Sequence, residues 1–119
     1  MTPEQAKSFA TKWIESWNSC NLDAILYHYD EDVEWSAACA SGHDKLHDTL
    51  RGKSELRAHW EKNLVEKSAT RFELVEVVTG DSSVTICYRA PEDKFVADVL
   101  FFNENGKVLK AVTMSHETA

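Results

Sequence analysis

The chain reads as an α+β domain, with three N-terminal helices packed on a curved antiparallel sheet. Three observations carry this. Apolar residues recur at helical spacing in three stretches before residue 67. From residue 71 the period changes from 3.6 to 2. The later segments are separated by short turns rich in Gly, Asn, Asp and Ser, which force antiparallel neighbours. Helices followed by a run of strands give a helical layer on one face of a sheet.

Taken in order, Thr2 can cap the first helix, Pro3 fits its first position and Gln5 completes a capping box. Phe9, Trp13 and Trp17 recur every four residues, with Ala6, Ala10 and Ile14 filling in, so the spacing predicts a helix from about 3 to 18. Asn18-Ser19-Cys20-Asn21 breaks it, and Asn21 can cap a short second helix holding Leu22, Ile25, Leu26 and Tyr29. Val33-Glu34-Trp35-Ser36 has the look of a short strand. Residues 37–52 are small, polar and irregular. Leu56, Trp60 and Leu64 then mark a third helix between Lys53 and Lys67. Four strands follow, at 71–78, 84–89, 95–102 and 107–114.

The totals bound the function. A chain of 119 residues is the size of one domain, here residues 1–119, and needs no staples to fold. Thirteen Lys plus Arg against twenty Asp plus Glu give a net charge of -7, which repels phosphate backbones and anionic lipid. Neither nucleic acid nor a membrane is an expected partner. The opening MTPEQAKSFA has no apolar signal core, so secretion is not expected. Three cysteines, Cys20, Cys39 and Cys87, cannot all pair within one chain, which fits reduced thiols in a cytoplasm. The sequence has no Gly-rich phosphate loop, dinucleotide fingerprint or nucleophilic Ser or Cys signature, and no cofactor is expected.

One strand raises a question. Seven of the nine residues of KFVADVLFF are apolar, yet Asp98 sits near its middle. Alternation puts Val96, Asp98, Leu100 and Phe102 on one face. The other face, with Phe95, Ala97, Val99 and Phe101, is also apolar, as in a strand buried on both sides. On the residues alone Asp98 is either a solvated carboxylate or a buried group whose ionised form is disfavoured. Arg89 on the preceding strand is a candidate counter-charge that would reverse that shift.

Three stretches carry a resemblance. They are Leu22-Asp23-Ala24-Ile25 followed by Tyr29-Asp30-Glu31-Asp32-Val33, the helix opening Gly52-Lys53-Ser54-Glu55-Leu56, and Ala97-Asp98-Val99-Leu100-Phe101-Phe102-Asn103-Glu104-Asn105-Gly106. In this order they resemble the nuclear transport factor 2-like superfamily, which includes SnoaL-like polyketide cyclases and ketosteroid isomerases. The resemblance covers nearly the whole chain. It implies a cystatin-like cone closed by helices over an apolar pocket, an inward Asp98, and a homodimer formed through the outer sheet face by Phe95, Val99 and Phe101. It also maps the isomerases' first-helix Tyr onto Trp13, a supporting third-helix Tyr onto Trp60, and the general-base Asp onto Ala37. Ala37 cannot abstract a proton, so isomerisation by that mechanism is rejected.

What remains is a small, mostly apolar ligand in a pocket. If the protein is an enzyme, the chemistry is acid/base: isomerisation, cyclisation, dehydration or epoxide opening. The rival is a non-catalytic ligand- or protein-binding module whose interior is filled by its own side chains. Asp98 and His59 are the candidate catalytic residues: an inward carboxyl without a cation is raised in pKa, and a histidine is by residue type suited to acid/base work. His59 is equally a surface residue on its helix. Trp13, Trp17, Trp35, Trp60, Tyr88 and Leu100 are the candidate ligand-binding residues, with core filling as the plain alternative for the indoles. Cys39, His43 and His47, with Asp44 and Asp48, have ligand-like spacing, but Gly42 interrupts them and no fourth ligand is evident. This stretch reads as a polar flap over the cone mouth, with no metal expected.

Overall fold

The structure is a computed structural model that describes residues 2–39, 49–66, 71–91 and 94–117. In chain order its elements are α1 (Pro3–Asn18), α2 (Leu22–Leu26), β1 (Tyr29–Cys39), β2 (Thr49–Arg51), α3 (Lys53–Glu66), β3 (Glu73–Thr79), β4 (Ser83–Ala90), β5 (Lys94–Phe102) and β6 (Val108–Glu117).

α1 starts where the chain satisfies its own orphan amides. Thr2 Oγ1 accepts from the Gln5 N–H at 3.1 Å, and Gln5 Oε1 accepts from the Thr2 N–H at 2.9 Å. Its apolar stripe buries Ala6, Ala10, Trp13 and Ile14. The chain then reverses through Cys20, a non-glycine residue at φ 56°. Asn21 caps α2 by accepting from the Ala24 N–H. α2 stops at Leu26, so Tyr29 is not helical; it opens β1 with its ring in the core.

The sheet has six strands in the order β2-β1-β6-β5-β4-β3. Here the structure corrects the sequence reading: the sheet is mixed, because β1 runs parallel to β6 while every other neighbouring pair is antiparallel. Parallel neighbours need a long crossover, and the chain between these two carries α3 and the β3–β5 meander. β1 is also longer than the stretch 33–36, and β2 falls inside the stretch read as irregular. Asp30, Glu31, Asp32 and Ala37 have poor strand propensity, but pairing to β6 on one side and β2 on the other overrides it. A bulge between Tyr29 and Glu34 absorbs the acidic run.

The helices cover one face of the sheet. Between the layers lie Ile25, Leu26, Val33, Leu56, Val84, Ile86, Leu100 and Val108, all buried. β5 divides as alternation requires: Val96, Asp98 and Leu100 point into this core, whereas Phe95, Ala97 and Val99 are half-buried on the outer face and Phe101 is 40% exposed there. Within one chain, then, β5 is buried on one side only. Among the described residues no helix is long and apolar enough to cross a membrane.

Candidate functional site

Strand register places one carboxyl among aromatic rings. On the inner face Asp98 lies opposite Ile86 of β4 and Thr113 of β6, and Thr113 lies opposite Ala37 of β1. Tyr88 and Trp35 are one inward position away on their own strands. Asp98 is buried, and its two oxygens have different partners. The Tyr88 hydroxyl donates to Oδ2 at 2.6 Å, and the Thr113 hydroxyl donates to Oδ1 through a short hydrogen bond. The Trp35 indole N–H donates in turn to Thr113 Oγ1 at 2.9 Å.

Burial raises the Asp98 pKa from 3.8 to about 6, against the smaller lowering effects of the Thr113 and Tyr88 hydrogen bonds. Arg89 is not its counter-ion. It lies opposite Phe95 on the outer face, is exposed, and takes no part in the shift. Tyr88 is pushed well above the ordinary phenol value, first by burial and then by the negative charge of Asp98. Tyr29 is raised for the same two reasons, and its hydroxyl accepts from the Trp13 indole N–H at 3.2 Å. Both phenols therefore remain protonated donors through the neutral range.

The indoles form a continuous bank on the helical side. Trp13 meets Trp17 at 5.9 Å and Tyr88 at 5.6 Å between ring centroids. Trp60 lies 5.0 Å from Trp17, 5.4 Å from Tyr29 and 6.0 Å from Trp35. These are edge-on arrangements, in which the positive rim of one ring meets the negative face of the next. Trp17 Nε1 is buried with no hydrogen-bond partner among the described residues. His59 is exposed on α3, with its ring 5.3 Å from that of Trp35. It thus meets the cluster through Trp35. Leu100, two residues beyond Asp98 on the same face, is fully buried.

So Asp98, Tyr88 and Trp35 converge, while Trp13, Trp17 and Trp60 form the adjoining wall. Two participants escaped sequence reasoning, Thr113 and Tyr29. Thr113 alternates inward with Ala111 on β6, but only the cross-strand register shows that it faces Asp98. Tyr29 was hidden by its assignment to a helix. The flap residues from 40 to 48, with His43, Asp44, His47 and Asp48, lie outside the described residues. In the open groove of the helical surface lined by Asp23, Arg57 and Glu61, the Asp23 carboxylate and the Arg57 guanidinium are already joined at 2.6 Å.

The family description "SnoaL-like domain" matches residues 10–110. This chain belongs to the SnoaL-like family. A SnoaL-like protein of unknown function from Burkholderia thailandensis is 32% identical, with 96% of each chain covered and a TM-score of 0.87. An NTF-2 like protein of unknown function from Burkholderia xenovorans shares 16% identity over 98% of this chain and 86% of its own, with a TM-score of 0.77. SalBIII, an epoxide hydrolase/cyclase-like enzyme with a role in pyran ring formation in the polyether salinomycin, shares 19% identity over 97% of this chain and 94% of its own, with a TM-score of 0.71. The last two likenesses show the fold alone. No curated protein matches the chain by sequence. In this SnoaL-like domain Ala37 of β1, opposite Thr113, brings no titratable group to the inner face.

Proposed function

We propose that this SnoaL-like protein binds a small, mostly apolar molecule against its aromatic wall and performs acid/base chemistry on it with Asp98. The observation that supports this is a buried carboxyl titrating at about 6 between two hydroxyl donors, with no cation contributing to its shift. A group poised near neutrality exchanges protons efficiently in either direction. Isomerisation, cyclisation, dehydration and epoxide opening all need one such group, and the epoxide hydrolase/cyclase-like description of SalBIII is in keeping with that range. His59 is the proposed proton carrier at the rim, beside Trp35. Trp13, Trp17, Trp35, Trp60, Tyr88 and Leu100 supply the wall. The outer sheet face is the proposed homodimer surface, and reduced thiols keep a cytoplasmic location part of this reading.

A second reading has an observation in its favour. Trp17, Trp60, Tyr29 and Trp35 already pack on one another, as in a binding module whose interior is its own side chains. A thermal-shift screen with steroid-like, polyketide-like, epoxide and fatty ligands separates the two, because a ligand that binds only the folded state raises the melting temperature. The enzyme reading expects a hit in the wild type, and an Asp98→Asn variant that stays folded but binds or turns over the hit at least about tenfold less well. Unchanged affinity in Asp98→Asn together with a large fall in melting temperature overturns it.

A further inference from the structure

The three side chains around the carboxyl have unequal donor and acceptor abilities, and this decides where a proton can sit. An indole N–H only donates. Since Trp35 Nε1 donates to Thr113 Oγ1, the single hydroxyl hydrogen of Thr113 is free to point elsewhere, and the acceptor it meets is Asp98 Oδ1. Oδ1 is thereby held as an acceptor. A proton placed on it would face the Thr113 hydrogen, unless the hydroxyl turned away from a position that Trp35 fixes. Oδ2 has a different partner. The Tyr88 hydroxyl both donates and accepts, so it can rotate to receive a proton carried on Oδ2.

We propose that Trp35 and Thr113 are positioning residues: as a one-way relay they lock Oδ1 as acceptor and confine the exchangeable proton of Asp98 to Oδ2, on the Tyr88 side. The proposal rests on the acid/base reading of this site and states which edge of the carboxyl a ligand must meet. A reacting group takes or gives its proton at Oδ2, between Asp98 and Tyr88, and approaches from the side away from Thr113. The titratable groups that face Asp98 are Tyr88 from β4 and Tyr29 from the start of β1, both neutral in this range. No charged side chain among the described residues contributes to its shift. The hydroxyl relay is therefore the main lever on its ionisation besides burial.

The test needs no ligand, so it fails or succeeds independently of the enzyme reading. The carboxyl carbon of Asp98 is followed by NMR through a pH titration of the full chain labelled with 13C-aspartate. Thr113→Val removes the donor at nearly constant shape, and the Asp98 midpoint is expected to rise by about one to two pH units, the size of a hydrogen bond to a charged group. Thr113→Ser is expected to restore the wild-type midpoint to within about half a unit. Trp35→Phe keeps a ring but frees the Thr113 hydroxyl to turn, and a smaller rise in the same direction is expected. Should Thr113→Val fail to fold, Trp35→Phe alone still decides. A midpoint that does not move in Thr113→Val, or that matches the wild type in Trp35→Phe, overturns the relay, as does Thr113→Ser behaving like Thr113→Val.

Discussion

At the scale of the residue, Asp98 makes the fold weaker at neutral pH than its shape would require. Its carboxyl is protonated more readily in the folded chain, at about 6, than in the unfolded one, at 3.8. Between those values the native state holds more protons, so its contribution is most favourable below the lower value and is lost as pH rises through the upper one. Two units correspond to about 3 kcal/mol, an order-of-magnitude figure for a fully buried group. Asp98→Asn lacks this titration, and its amide can sit toward Tyr88 while its carbonyl accepts from Thr113. Urea unfolding at pH 4 and pH 7.5 is expected to show the variant gaining on the wild type by about 2 kcal/mol over that range. Parallel stabilities at the two pH values would mean that Asp98 is solvated. Alternation within β5 grouped Asp98 with Val96 and Leu100, and the resemblance alone supplied its inward side. The roles of Arg89 and Thr113 followed from neither, since period-2 spacing fixes the faces of one strand but not the phase of its neighbours. Only pairing reveals that Arg89 is opposite Phe95 and Thr113 opposite Asp98.

At the scale of the element, legibility followed how much of the instruction is local. α1 carries its own start signal in Thr2, Pro3 and Gln5 and its own face in the four-residue stripe, and its ends were readable from them. β1 carries neither. Only residues 33–36 read as strand, Tyr29 read as helix and Ala37 and Ala38 as irregular, and the full length of β1 comes from its pairing with β6 and β2. The junction of β2 and α3 shows the same dependence on context. Gly52 sits at φ +87°, and its N–H donates to the Val33 carbonyl at 2.7 Å, tying the start of α3 to β1. A Cβ there would have ordinary room, 3.6 Å from the Glu31 carbonyl oxygen, so the backbone angle alone penalises a side chain. Gly52→Ala is expected to cost about 1–2 kcal/mol in denaturant unfolding. Because α3 carries Trp60 and His59 to the site, the ring contacts with Trp35 should loosen with it, seen as a shift in tryptophan emission. A variant as stable as the wild type would show that the loop relaxes to another conformation.

At the scale of the whole molecule, the helices all lie on one side of the sheet and leave the other side to solvent. Cross-strand pairing gathers an apolar surface there: Val78, Thr85, Val99 and Val112 form one row, and Cys87, Ala97 and Met114 the next, with Phe101 beside them. Val78 is 54% exposed, Met114 43% and Phe101 40%. Charged groups flank these rows: Glu73, Glu76 and Arg89 lie toward one end, and Arg51, Glu34 and Lys110 toward the other, with Lys110 directly opposite Phe101. A second copy presenting the same face would cover these rows, and a stable interface needs roughly 800 Å² from each partner, which one face of a sheet of this size can supply. In the proposed homodimer the residues that make β5 apolar on both sides would have two destinations, the core for one set and a second copy for the other. Phe101→Asp puts a charge, and across a two-fold axis a pair of like charges, into that surface. The position is partly exposed in the single chain, so the fold itself should lose little, about 0.5 kcal/mol. Light scattering is expected to give half the wild-type mass for the variant, with unchanged circular dichroism. A variant that keeps the wild-type mass, or a wild type that is itself a monomer, removes the sheet face as the dimer surface.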